Sequence, residues 1–366
     1  MNIYVLITII STCLLLFNIS RKKQLPIAVL FVVFMIFVGA FRGMSVGTDT
    51  LWYRNNWVSM TFDPKTWNRY TPFEPGFNFY IAFVKSFVSN SYYFIYTSVF
   101  LFTYLFYLLT IKKATIPLGL FFSFLWMTHC YMDTMNIMRQ CLAMSICVYL
   151  FVLYDKGNIK LLSFVLFVLS VMFFLHKSSA VFLLTPLFRK DFIGKILSTS
   201  NMIVILFLAI FGSVFLSDFI GDNLILLSGV FGERADSFIE TTNKIGLTER
   251  AGGYIGFFLY GFFLILFSKN RRNSYFYIGF VGFVLVFLLS SYLRDLSRLA
   301  LNYSFLLIIY LSQNWGKPGV INNKPSKKYS IIYTVCEIGM IIYWINALIG
   351  GTLYDKAYLP YSNYLF

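Results

Sequence analysis

FRGMSVGTDTLWYRNNW (residues 41–57) and TPFEPGF (residues 71–77) lie within one polar passage that has long apolar runs on both sides. The passage carries Arg42, Asp49, Arg54, Asp63, Arg69 and Glu74 among Gly, Thr, Tyr and Trp. Because its neighbours are apolar over membrane-spanning lengths, it has one place to be, at a membrane face, dipping back between helices at most. Its reading therefore sets the frame for the rest of the chain.

Working outward, the composition points the same way. The 366 residues are 58% hydrophobic and only 12% charged, whereas soluble domains carry about 25% charged residues. A soluble core cannot hide so much apolar surface, so lipid must be the solvent. The pattern predicts an all-α polytopic membrane protein of about twelve transmembrane helices. Its candidate spans are 3–19, 25–41, 92–111, 115–132, 137–154, 160–176, 178–188, 201–217, 253–268, 274–291, 295–312 and 330–349. They form one transmembrane domain, 1–366, with outer loops 42–91 and 218–252 and a cytoplasmic linker over 313–329. Residues 75–90 read as an interfacial or re-entrant helix that keeps Lys85 near water. The first apolar run lacks a basic leader and a small-residue cleavage site and reads as a retained span.

The formal charge of +15 does not point to nucleic acid, since the basic residues fall in short turns between apolar runs and form no stripe on a soluble domain. Alternating the spans from a cytoplasmic first turn puts thirteen of the eighteen lysines inside, as the positive-inside tendency requires. Eight of the twelve arginines (Arg42, Arg54, Arg69, Arg139, Arg234, Arg250, Arg294 and Arg298) then face out. Orientation alone does not need them there, and the planar guanidinium suits bidentate phosphate binding. The five cysteines show no metal-ligand spacing, and two histidines argue against a His-based metal site.

The outward residues then suggest specific chemistry. Arg42 follows the second span beside Gly43 and Gly47, where backbone N–H groups can approach an anion closely. Asp49 either caps a short helix or stands near a sugar hydroxyl, with Trp52 and Tyr53 as stacking faces. Glu74 precedes Pro75 as ordinary helix-start chemistry, or acts as a second carboxylate. TMNIMRQCLA places Asn136, Arg139 and Gln140 at i, i+3, i+4, one face of the helix opening span 137–154; an Asp133–Arg139 pair is the local alternative. His176, in FFLHKSS, sits in a tight outward corner as a general base or a phosphate-neutralising group. SYLRDLSRLALNY sets Arg294, Arg298 and Asn302 on one stripe, and two arginines one turn apart repel unless an anion lies between them. Glu337, inside the last span, has no partner visible in the sequence.

Taken in order, Arg42…Gly47-Thr48-Asp49…Tyr53…Glu74-Pro75-Gly76, Asn136-x-x-Arg139-Gln140, His176-Lys177-Ser178 and an Arg298-bearing outer helix with a Pro360-Tyr361 tail resemble the EpsG family of Wzy-type polymerases of bacterial surface polysaccharides. The resemblance implies an architecture like that of the C-type multi-span glycosyltransferases and a metal-independent, cofactor-free glycosyl transfer at the outer side of the bacterial cytoplasmic membrane. Its substrate would be an undecaprenyl-pyrophosphate-linked oligosaccharide moved as a block to build O-antigen, capsule or exopolysaccharide, with a chain-length regulator protein as a further partner. Under it, Arg42, Arg139, Arg294 and Arg298 hold pyrophosphate, and Trp52, Tyr53, Asn136 and Gln140 bind sugar. The base is Asp49, His176 or Glu74, the first two ranked ahead of the third. An O-antigen ligase-type transferase differs in acceptor and usually has a larger outer loop. A flippase for lipid-linked sugars needs polar groups through mid-membrane and comparable halves, and the chain shows neither.

Overall fold

The structure, a computed structural model, describes residues 3–19, 25–43, 45–47, 49–63, 73–88, 93–189, 193–194, 196–209, 212, 262–263, 265, 272–290, 294–317, 320–321, 324–325 and 327–350. Loop 218–252, the tail around Pro360-Tyr361, Arg69 and Thr48 lie outside the described residues. The helices are α1 (Ile3–Ile19), α2 (Leu25–Ala40), α3 (Thr50–Ser59), α4 (Pro75–Phe87), α5 (Tyr93–Ala114), α6 (Leu118–Met127), α7 (Cys130–Asn136), α8 (Met138–Asp155) and α9 (Leu161–Phe174). A 3₁₀ segment, Lys177–Phe188, follows. Then come α10 (Thr199–Ala209), α11 (Ser274–Ser290), α12 (Arg294–Asn314) and α13 (Lys327–Gly350). The only strands among the described residues are β1 (Val320–Ile321) and β2 (Lys324–Pro325), a two-residue antiparallel hairpin in the linker.

Two described helices, α5 and α8, are long and apolar enough to cross a membrane, and seven shorter apolar helices accompany them. Apolar side chains such as Leu30, Phe87, Leu162 and Phe173 stay exposed, as lipid-facing residues do. The helix read over residues 75–90 as interfacial or re-entrant is present as α4, bounded by Pro75 and Phe87. Span 115–132 differs from its reading as one helix. It breaks at Thr128–His129, where His129 takes a left-handed conformation with φ 64° and the chain restarts as α7.

The chain divides into two compact units, residues 1–186 with 311–366, and residues 187–310. In the first, α6 is the hub, buried on every face from Gly119 to Met127 and packed on α1, α2, α7 and α13. Trp126 donates to Thr8 Oγ1 at 3.0 Å, and Tyr131 donates to the Met35 carbonyl at 2.8 Å. The turn after α12 fastens both ends of this unit together. Asn18 donates to the Trp315 carbonyl at 2.9 Å, and Trp315 donates its indole N–H to the Leu15 carbonyl at 3.2 Å. The Gly316 N–H donates to Glu337 at 2.8 Å, which supplies the partner that the sequence hides. In the second unit, Phe276 of α11 meets Tyr310 of α12 with ring centroids 5.1 Å apart.

The geometry that matters for the site is the pairing of α5 with α8, the most extensive helix contact in the first unit. The two helices run in the same direction, with Phe106 against Tyr149. The described residues of the passage 42–88 meet the N-terminal ends of this pair through Arg42, Thr50 and Glu74.

Candidate functional site

Glu-Pro-Gly-Phe, residues 74–77, builds the junction. Pro75 occupies the first turn of α4, and Glu74 is its N-cap in extended conformation, but the Glu74 side chain does not cap its own helix. Its carboxylate turns away to two other elements. Oε2 accepts from Arg139 Nη1 at 2.5 Å, and Oε1 accepts from the backbone N–H of Lys177 at 3.0 Å. A Cβ on Gly76 would stand 2.6 Å from the Phe174 carbonyl oxygen; only glycine lets the start of α4 press against the end of α9 and bring Glu74 within reach of Lys177. The motif thus joins α4, α8 and the turn after α9.

The ion pair is largely buried, with side-chain exposures of 14% for Arg139 and 8% for Glu74. Aromatic faces replace the water that Arg139 lost. Its guanidinium carbon lies 4.6 Å from the Phe73 ring centroid and 5.9 Å from that of Phe77. Arg139 Nε is buried with no hydrogen-bond acceptor among the described residues. One donor is therefore left over, in a place where an unmet donor is costly.

Asp49 and Tyr53 enter from α3. Gly47, at φ 92°, turns the chain against α7, where a Cβ would meet Asn136 Oδ1 at 3.4 Å. The Asp49 backbone N–H donates to that same Asn136 Oδ1 at 2.9 Å. Asp49 is the N-cap of α3, although its side chain makes no capping hydrogen bond. Tyr53 is buried and stacks on Phe73 at 5.6 Å. Burial pushes its phenol up to about 12; the Arg139 charge pulls it down and the Asp49 carboxylate pushes it up, so the ring sits in the field of both. Trp52 packs edge-on against Phe73 at 4.7 Å while remaining 41% exposed. Lys85, expected near water, stays partly exposed and donates to the carbonyls of Trp57, Val58 and Met60 at 3.0, 3.0 and 2.9 Å, answering the C-terminal end of α3.

His176 is held in one tautomer. Its Nδ1 accepts the Ser178 backbone N–H at 3.1 Å and lies 2.7 Å from Ser178 Oγ. A backbone N–H can only donate, so the neutral ring carries its proton on Nε2, an assignment made from this partner. In this tautomer the ring carries its N–H at Nε2.

Three expectations change. Asn136, Arg139 and Gln140 do not share one helix face: the chain breaks at Ile137 (φ −94°, ψ 50°), leaving Asn136 at the end of α7 and Arg139 in the first turn of α8. Arg139 pairs with Glu74, not with Asp133. Arg42 is 1% exposed and donates to the Gly39 and Met135 carbonyls at 2.7 and 2.6 Å, over the Tyr96 ring. It ties α2 to α7 instead of presenting its charge to a ligand. Gln140 is buried and Asp63 exposed. Arg294 and Arg298 lie on the first two turns of α12, and their side chains are outside the described residues.

Sequence reasoning missed Phe73 and Phe77, and gave Lys177 and Ser178 no role beyond their place in the motif. Phe73 precedes the N-cap Glu74 and so shares no helical face with Phe77; nothing local announces that Arg139 lies over both rings. No curated protein and no solved structure matches the chain. The model of the EpsG family matches residues 25–363.

Proposed function

Since the chain belongs to the EpsG family, a family of Wzy-type polymerases, we propose that it joins undecaprenyl-pyrophosphate-linked oligosaccharide repeat units by block transfer. The reaction is placed on the outer side of the bacterial cytoplasmic membrane, without a metal, and with a chain-length regulator as partner. A polysaccharide-polymerase role in a membrane comes with the family; the finer reading rests on one observation. Glu74 fixes Arg139 and the His176 turn together beside Asp49 and Tyr53, all at one end of the α5–α8 pair.

The acceptor hydroxyl attacks the anomeric carbon of the donor sugar, and the bond from that carbon to the pyrophosphate oxygen breaks. The hydroxyl proton passes to Asp49, and undecaprenyl pyrophosphate leaves with the bonding electron pair. Arg139 stabilises the charge that develops on the leaving group, its Nε–H being the donor the junction leaves over. His176 donates from Nε2 to a phosphate oxygen. Glu74 is a strut, because both its oxygens already accept hydrogen bonds; the base is Asp49. Trp52, exposed at the mouth, stacks on sugar. Arg294 and Arg298 keep their reading as a pyrophosphate clamp on their spacing alone.

Purified protein given a defined lipid-linked repeat unit should yield a ladder of longer chains. Asp49→Asn should slow it about 10²–10⁴-fold while the lipid-linked unit still binds. Ladders at the unsubstituted rate would overturn the assignment of the base.

A further inference from the structure

The opposite end of the same helix pair carries a second site. An open cleft of about 620 Å³ lies there, lined by Leu109, Lys112, Lys113, Tyr149, Lys156 and Asn158. Lys112 and Lys113 stand in the last turn of α5, and Lys156 caps the end of α8. Among the described residues, none of the three ammonium groups has a carboxylate within ion-pair distance. Orientation in a membrane calls for lysines at such ends, but it does not call for three of them around one concavity. Like charges converging on a shared space repel unless an anion sits between them.

The wall below the lysines is apolar. Leu109 lies one turn beneath Lys113, and Tyr149 two turns beneath Lys156, depths of about 6 and 10 Å at the helical rise. On α5 the exposed residues Leu101, Phe102, Leu105 and Leu108 carry that surface onward along the helix. A basic rim over an apolar groove suits a molecule with a phosphate head and a hydrocarbon tail. We propose that this cleft binds the phosphodiester headgroup of an anionic phospholipid, its acyl chain lying along α5. Tyr149 and Asn158 supply the neutral hydrogen-bonding groups beside the charge. The site is independent of the polymerase reading, since it uses none of the residues at the Glu74 end.

The full chain in lipid-free detergent is titrated with phosphatidylglycerol, with phosphatidylcholine, and with inorganic phosphate; bound lipid is read by native mass spectrometry and stability by Tm. Phosphatidylglycerol should be retained and should raise Tm, phosphatidylcholine should do neither, and inorganic phosphate should not reproduce the shift at the same concentration. Lys112→Gln/Lys113→Gln/Lys156→Gln should weaken phosphatidylglycerol at least tenfold, and the corresponding triple arginine chain should retain it. Equal binding of both lipids, or undiminished binding by the glutamine chain, would overturn the proposal. A full shift with inorganic phosphate would make it a small-anion site and overturn the lipid assignment. If the triple glutamine chain does not fold, Lys156→Gln alone is read in the same way, with at least a threefold loss expected and no loss counting against the site.

Discussion

Helices α5 and α8 lie side by side, and their two ends treat positive charge in opposite ways. At one end Arg139 is taken out of water, paired with Glu74 and covered by Phe73 and Phe77. At the other, Lys112, Lys113 and Lys156 border an open cleft, and among the described residues none of them is ion-paired. A buried guanidinium is expensive and persists only where geometry compensates it; lysines at a surface need no such compensation. The contrast separates a buried junction of three elements from an open cationic rim.

The sharpest test of that contrast removes one partner at the buried end. Glu74→Gln should abolish ladder formation and destabilise the protein by about 3–5 kcal/mol, because Arg139 then stays buried and unanswered. Glu74→Gln/Arg139→Gln should regain much of that stability in thermal unfolding and remain inactive. By contrast, Lys156→Gln in lipid-free detergent should change stability by no more than about 0.5 kcal/mol. A comparable loss at both ends would erase the distinction.

A smaller effect separates the two nitrogens of His176. Glutamine can place an N–H donor near the position of Nε2, whereas asparagine reaches only as far as Nδ1. His176→Gln should keep ladder rates within about tenfold, and His176→Asn should lose about 10²–10³-fold, the cost of a missing charge-stabilising donor. Equal losses would mean that the ring acts as a base after all.

The smallest effect is alkaline. The Tyr53 phenol is raised from 10.0 to about 12 in the folded chain, so its contribution to stability is full below pH 10 and is lost as pH rises towards 12. Tyrosinate absorbance should show a group titrating late that is absent from Tyr53→Phe, and unfolding of that variant should lack the matching pH dependence.

The all-helical character could be read from apolar run lengths, and the polar passage of residues 42–77 supplied the candidate site. Pro75 placed the start of α4, since its effect on the chain is local. The breaks at His129 and Ile137 were hidden because neither has a glycine or proline to mark it; tertiary contacts hold those backbones. Glu74 and Arg139 are 65 residues apart, and no periodicity pairs residues across such a gap. Arg42 looked like a ligand group because its burial depends on carbonyls of α2 and α7, which a sequence does not locate. Arg294 and Arg298 still rest on spacing.

The knot at Trp315 has a consequence for how the protein is made. Leu15 and Asn18 meet a partner that lies 297 to 300 positions later in the chain. Helix α1 therefore keeps an unfinished flank until Trp315 has been translated, so a chain cut short before α12 would leave that flank open.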